Sequence, residues 1–172
     1  PGYTTDPLHE QAVSVVPGLL HKYAGRALVV TTGACAVHCR YCFRRHYPYG
    51  DSHAGGSQLE PVLAAIAADP SLEEVILSGG DPLSLADHRL ATLVGRLAAI
   101  PHLRTLRIHT RLPVVVPQRV DEALLEWLGG TRLRTVVVAH VNHAQELDGA
   151  AVAALRRLAT APAILLNQAV LL

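Results

Sequence analysis

The sequence predicts an α/β fold with a parallel sheet, and a partial (β/α) barrel of the TIM type with about five strands present fits best. Three observations support this prediction. Apolar, β-branched runs alternate with stretches of helical spacing, a polar loop follows each of the first four runs, and those loops concentrate Cys, Gly, Asp, His and Arg. An open doubly wound sheet is the alternative that the same alternation allows.

Five apolar runs predict buried strands, since each is rich in Val, Ile and Leu and too short for a typical helix. They cover residues 27–32, 75–78, 105–110, 135–141 and 163–171. Between them, apolar residues recur at three- and four-residue intervals, which is typical of helices that pack on one face. These stretches are 59–67, 90–97, 120–127 and 147–158.

Chain length limits how much of a barrel can be present. The 172 residues, half of them apolar, suffice for one core but are short for eight strand-helix units. We interpret residues 1–26 as a polar, proline-bearing lead-in and residues 27–172 as a C-terminally truncated core. The chain has no Met and stops inside an apolar run, so we expect it to be a fragment.

The charge and the cysteine content limit which partners and which cellular compartment we expect. A formal net charge of +1 gives no argument for nucleic acid or an anionic membrane as a partner. No signal-like segment is present, and no apolar stretch approaches the roughly 20 residues that cross a bilayer. Three closely spaced cysteines do not form an even-numbered disulfide framework. We therefore expect a cytoplasmic protein.

The three cysteines predict a metal centre after the first strand. Cys35, Cys39 and Cys42 are the chain's only cysteines, and this spacing allows their thiolates to surround one face of an iron-sulfur cube. One iron is then left without a protein ligand. Structural zinc with His38 or His46 as a fourth ligand is an alternative, as are buried unliganded thiols, but zinc sites usually show two separated ligand pairs.

A glycine pair follows the second predicted strand, in Ser78-Gly79-Gly80-Asp81-Pro82. Glycine lets backbone approach a ligand without an intervening side chain, although a plain turn is the alternative. Polar residues also follow the third and fourth strands, in segments 109–111 and 140–143. Because the carboxyl ends of parallel strands share one edge, we expect these loops to converge on one site.

These motifs carry a family resemblance. The pattern C-x-x-x-C-x-x-C directly after a first strand, followed by the glycine motif, resembles the radical S-adenosylmethionine superfamily. Further segments resemble the lysine 2,3-aminomutase family, and within it the elongation factor P β-lysylation proteins. They are His21-Lys22-Tyr23-x-x-Arg26, Cys39-Arg40-Tyr41-Cys42-Phe43-Arg44-Arg45-His46, Arg107-Ile108-His109-Thr110-Arg111, His140-Val141-Asn142-His143 and Leu166-Asn167-Gln168-x-Val170-Leu171-Leu172.

The resemblance implies three cofactors and assigns residues to them. Cys35, Cys39 and Cys42 would hold a [4Fe-4S] cluster, Lys22, Tyr23 and Arg26 the phosphate of pyridoxal 5'-phosphate, and Arg44 the carboxylate of the substrate lysine. Without the resemblance, Lys22, Tyr23 and Arg26 would be an exposed entry to the first strand, and Arg44 half of a solvated arginine pair. The implied S-adenosylmethionine site consists of Tyr41, Ser78, Gly79, Gly80, Asp81, Arg111, His140 and Gln168.

The implied activity is that of an isomerase, converting L-α-lysine to β-lysine for modification of elongation factor P. This activity requires an electron donor such as flavodoxin or ferredoxin. The resemblance also allows a homo-oligomer. Lys22 is the only lysine, yet it falls in the phosphate-binding segment. A pyridoxal enzyme needs a Schiff-base lysine, which the family carries further downstream, so we expect this chain alone to be inactive.

Two other functions are compatible with the same residues. One is a radical S-adenosylmethionine enzyme that uses no pyridoxal phosphate. The other, from a different class, is a structural zinc module in which Arg44 and Arg45 contact RNA phosphate. It predicts zinc in place of iron and a steeply salt-dependent affinity for RNA.

Overall fold

The computed structural model describes residues 4–50, 53–54 and 58–170. Seven strands in these ranges form one sheet in which the spatial order follows the chain order. The first three strands pair antiparallel, and all later pairs are parallel. The strands are β1 (Ser14–Val16), β2 (Leu19–Tyr23), β3 (Arg26–Thr32), β4 (Glu74–Gly79), β5 (Thr105–Thr110), β6 (Arg134–Ala139) and β7 (Ala163–Asn167).

The five predicted strands are confirmed as β3 to β7, and the fold is α/β with a mostly parallel sheet. The last two end at Ala139 and Asn167, before the predicted ends at 141 and 171, and residue 171 lies outside the described residues. The prediction of about five strands missed β1 and β2, which lie inside the predicted lead-in. They form a hairpin around Pro17 and Gly18, and Gly18 has the positive φ of 86° that favours glycine. The sheet therefore begins before residue 27.

Helices connect the parallel strands, and the four predicted helical stretches are confirmed. Asp121 and Asp148 cap two of them, since each side chain accepts a hydrogen bond from a backbone N–H of the first helical turn. The helices are α1 (Leu59–Ala68), α2 (Asp87–Ala98), the short α3 (Leu112–Val115), α4 (Glu122–Gly129) and α5 (Gly149–Thr160).

The helices and the main core lie on one face of the parallel strands. Successive side chains of a strand point to opposite faces. On β4, Val75 and Leu77 are fully buried in the core with the helices, whereas Ile76 and Ser78 line a cavity on the other face. A doubly wound sheet reverses its strand order at a switch point, and this sheet does not.

Among the described residues, none of the helices has the length and apolar character that crossing a bilayer requires.

Candidate functional site

One cavity of about 420 Å³ runs along the face of the sheet opposite the helices. Every residue that the sequence predicts for the site lines it, so a single space joins the three implied cofactor positions and the substrate position. These residues are Lys22, Tyr23, Arg26, Cys35, Cys39, Tyr41, Cys42, Arg44, Ser78, Gly79, Gly80, Asp81, Arg111, His140 and Gln168.

The three thiols come from the loop between β3 and α1 and are all reduced. Burial raises the pKa of the Cys35 thiol to about 11, and the charges of Asp81, Cys42 and Cys39 act in the same direction. Cys39 Sγ accepts a hydrogen bond from Arg111 Nη1 at 3.1 Å. All three cysteines line the cavity.

Within the described ranges, no group of three His, Cys, Asp or Glu side chains is arranged to hold a metal ion. Three thiols that face one cavity are nevertheless the donor set of a cluster with one open iron. Two of the thiols are exposed and the third is half-buried, so metal can reach them. The donor chemistry fits the cluster, and the loop must close around it.

The glycine motif packs directly against the cysteine loop. Gly80 N donates to Thr32 O at 2.6 Å and Asp81 N donates to Ala34 O at 2.7 Å. A Cβ on Gly80 would lie 2.8 Å from backbone carbons of Gly33 and Ala34, closer than real Cβ contacts. Glycine is thus required at position 80 because the loop backbone passes too close for a side chain.

Asp81 joins the glycine motif to the next strand. Its carboxylate accepts from Leu83 N, Thr110 Oγ1, Arg111 N and Leu112 N, at 2.7 to 3.2 Å. Burial raises the pKa of Asp81, while these hydrogen bonds oppose that change. Both carboxylate oxygens are engaged with protein, so Asp81 shapes the predicted S-adenosylmethionine site mainly by fixing the backbone around it.

Arg111 is the centre of a polar network at the mouth of the cavity. Its guanidinium donates to Tyr41 Oη through Nη1 and to Glu146 Oε1 at 2.8 Å through Nη2. Burial opposes the charged form of Arg111, but Cys39, Tyr41 and Glu146 outweigh it and raise the pKa of Arg111. Arg111 Nε is buried and has no partner in the part of the chain that the structure describes.

Asn142 completes this network from the loop after β6. Its Nδ2 donates to Tyr41 Oη, and its backbone N donates to Glu146 Oε2 at 3.1 Å. Burial raises the pKa of the Tyr41 phenol, while the charge of Arg111 acts against it. The network ties the cysteine loop, which carries Tyr41, to the loops after β5 and β6.

Arg44 lies deep in the cavity and is paired with Glu10. Arg44 Nε and Nη2 donate to the two Glu10 carboxylate oxygens at 2.8 and 2.6 Å, and Nη1 donates to Ser78 Oγ at 2.7 Å. The Arg44 side chain is only 6% exposed and the Glu10 side chain 10%. Arg44 is therefore not half of a solvated arginine pair.

Lys22, Tyr23 and Arg26 lie around the opposite end of the cavity, where β2 turns into β3. Lys22 Nζ donates to Leu8 O at 2.8 Å, and Arg26 Nε lies 3.8 Å from a carboxylate oxygen of Glu74. The Tyr23 and Arg26 side chains are largely exposed. An ammonium, a phenol and a guanidinium at one cavity end form a donor set suited to phosphate.

A family model described as a 4Fe-4S single cluster domain matches residues 24–105, which include all three cysteines. Along its whole length the chain is 51% identical to an L-lysine 2,3-aminomutase of Escherichia coli, of which it covers 50%. The chain is thus similar to L-lysine 2,3-aminomutases over its whole length. It spans about half the length of these relatives.

Other L-lysine 2,3-aminomutases show the same pattern of coverage. An L-lysine 2,3-aminomutase of Haemophilus influenzae is 50% identical over 171 residues, which are 99% of this chain and 51% of that protein. One of Clostridium subterminale is 37% identical over 169 residues, 97% of this chain and 40% of that protein.

Sequence reasoning assigned no role to several side chains in or beside the cavity. Glu10 and Glu146 hold the two central arginines, and neither has a motif that singles it out. Asn142 was noted without a role. His109 lies on the cavity face of β5, with its ring centroid 5.7 Å from that of His140. Burial lowers the pKa of His109 to about 4, and charge repulsion from His140 acts in the same direction.

Proposed function

We propose that the protein is a radical S-adenosylmethionine, pyridoxal phosphate-dependent lysine 2,3-aminomutase that converts L-α-lysine to β-lysine. We also propose that its sheet is part of a barrel of the radical S-adenosylmethionine type. The observation that carries the proposal is the single cavity, because every residue predicted for the cluster, both cofactors and the substrate carboxylate lines it.

Each cofactor has a matching set of side chains. Cys35, Cys39 and Cys42 would hold the cluster, and the orphan Nε of Arg111 beside them offers a donor to an S-adenosylmethionine carboxylate. Lys22, Tyr23 and Arg26 would hold the phosphate of pyridoxal phosphate. When bound, these groups supply a carbon radical and an electrophile for the substrate amine.

The protein's own contribution is to position the substrate and exclude water. Leu28 and Ile76 add apolar side chains to the cavity lining, and Arg44 would be the donor for a carboxylate. His109 is neutral at physiological pH, so it adds no further positive charge beside Arg44. A lysine held by its carboxylate at Arg44 would have its reacting carbons inside the apolar part.

The proposal extends to the protein's biological partners. Phe43 and His46-Tyr47-Pro48-Tyr49 resemble the elongation factor P branch, so we propose that the β-lysine modifies elongation factor P. A flavodoxin or ferredoxin would supply the electron.

The test is product formation by the intact gene product. After anaerobic reconstitution, the protein is given L-α-lysine, S-adenosylmethionine, pyridoxal phosphate and dithionite. The proposal predicts β-lysine that requires all four reagents. Formation of 5'-deoxyadenosine without β-lysine would contradict the aminomutase assignment, and turnover without pyridoxal phosphate would favour the second radical-enzyme hypothesis.

A further inference from the structure

We propose that Glu10 is a positioning residue that orients Arg44 for recognition of the substrate carboxylate. This inference rests on the proposed function, because it deepens the role given there to Arg44. Two features of the structure carry it. The Glu10 carboxylate binds Arg44 through both oxygens, and the two side chains are almost completely buried together beside the cavity.

The hydrogen bonds of Arg44 use one edge of its guanidinium and leave another. Arginine has five N–H groups. Within the described ranges, Nε and one N–H of Nη2 donate to Glu10, and one N–H of Nη1 donates to Ser78 Oγ. One N–H therefore remains on each terminal nitrogen. Both remain available to donate to a carboxylate.

Glu10 is itself fixed by the backbone before β1. Glu10 N and Gln11 N donate to the two carboxylate oxygens of Asp6, at 2.9 and 3.1 Å. His9, directly before Glu10, has a positive φ of 53°, which marks a tight local turn. A buried carboxylate on an anchored turn is suited to hold an arginine in one orientation.

The charge of the pair explains why orientation matters here. Glu10 neutralises Arg44, so the pair attracts anions weakly at long range. Recognition then depends on the direction of the two remaining N–H groups. A flexible, uncompensated arginine would accept many anions, whereas a fixed edge selects a planar carboxylate at one position and angle.

The experiment compares the unmodified intact protein with Glu10→Gln and Glu10→Asp. Glu10→Gln keeps the side-chain shape but replaces one accepting oxygen with a donating amide that faces Arg44. We expect the KM for lysine to rise about tenfold or more. We expect a smaller rise in the KM for lysine in Glu10→Asp, because this variant retains the charge. Cadaverine, which has both amines of lysine and no carboxylate, serves as the matched competitive inhibitor, and its inhibition constant should change less than about twofold.

Each other outcome overturns the inference. A lower KM in Glu10→Gln would show that Glu10 competes with the substrate carboxylate. If the KM for lysine and the inhibition constant of cadaverine rose by the same factor, Glu10 would have only a structural role. An unchanged KM for lysine would show that Glu10 has no role.

A readout without catalysis separates this inference from the proposed function. In apoprotein labelled with ¹⁵N-arginine, and with Arg44→Lys used for assignment, the Nε–H of Arg44 should give a slowly exchanging NMR signal. We expect Glu10→Gln to shift it and speed its exchange. If the unmodified protein formed no β-lysine, the proposed function would fail, whereas an unchanged NMR signal in Glu10→Gln would refute the positioning role.

Discussion

The carboxylate of Asp81 lies 2.7 Å from the backbone nitrogen of Arg111 and accepts its hydrogen bond. The resemblance implies that both residues belong to the S-adenosylmethionine site, but their hydrogen bonds in the structure differ. Asp81 is saturated by protein donors, whereas Arg111 has a buried Nε with no partner in the described residues. Asp81 therefore fixes the strand ends from which Arg111 reaches the cavity.

This relationship predicts the effect of Asp81→Asn. An amide places a donor against backbone donors and leaves buried groups unsatisfied, which costs about 1–3 kcal/mol. We expect the free energy of unfolding to fall by about that amount in urea titrations. Asp148→Asn is the matched control, because Asp148 is a helix cap and Asn caps equally well. Equal stability of Asp81→Asn and the unmodified protein would disprove this role.

Gly80→Ala tests whether the glycine motif supports the cysteine loop. A methyl group at position 80 would clash with the backbone of Gly33 and Ala34, so the loop must move. We expect severalfold less iron per protein after anaerobic reconstitution. Gly95→Ala is the control, because Gly95 lies in α2 with open space around it, and alanine there should stabilise by up to about 1 kcal/mol. Normal iron content in Gly80→Ala would refute the prediction.

In the intact protein, the Arg44→Ala variant should turn over lysine at least tenfold more slowly and keep an unchanged cluster content. It also leaves the Glu10 carboxylate buried without its partner, which lowers the free energy of unfolding by about 3–5 kcal/mol. Arg45→Ala is the neighbouring control, because Arg45 is exposed and donates to a backbone oxygen, Arg40 O. Kinetics and urea unfolding check the two effects separately. Unchanged turnover would remove Arg44 from the substrate role.

His109 should make stability depend on pH. Its pKa is lowered from 6.5 to about 4 in the folded protein, so the unfolded chain binds the extra proton first as pH falls. The contribution of His109 to stability is present above pH 6.5 and is lost between pH 6.5 and 4. Between pH 7.5 and 5 the loss is about 2 kcal/mol.

The measurement for His109 is the free energy of unfolding at these two pH values, for the unmodified protein and His109→Gln. The free energy of unfolding of the variant should fall by about 2 kcal/mol less than that of the unmodified protein between pH 7.5 and 5. Parallel pH profiles for the two proteins would contradict the assignment of a depressed pKa to His109.

The parallel part of the sheet could be predicted from the sequence because β3 to β7 are apolar runs separated by amphipathic helices. The hairpin of β1 and β2 could not. Its strands are short, and β2 includes the polar residues His21 and Lys22, so the sequence does not show the apolar run that predicts a buried strand. β2 is defined by pairing with β3 and β1 by pairing with β2, which is a tertiary effect.

The candidate site divides in the same way. Residues in motifs, such as the cysteines, the glycine pair and Arg44, could be assigned to the site, and all of them line the cavity. Glu10 and Glu146 could not, because each pairs with an arginine 34 or 35 residues away. Only the folded chain brings such partners together. The ion pair of Arg44 with Glu10 could therefore not be predicted from the sequence.

The central claim is that this cavity holds an iron-sulfur cluster beside S-adenosylmethionine. The most direct measurement is anaerobic reconstitution with iron and sulfide, followed by iron analysis and EPR of the reduced protein with and without S-adenosylmethionine. The account predicts about four irons per chain and a spectrum that changes when S-adenosylmethionine is added. Retention of zinc, with no redox-active cluster, would contradict it and favour the structural zinc module.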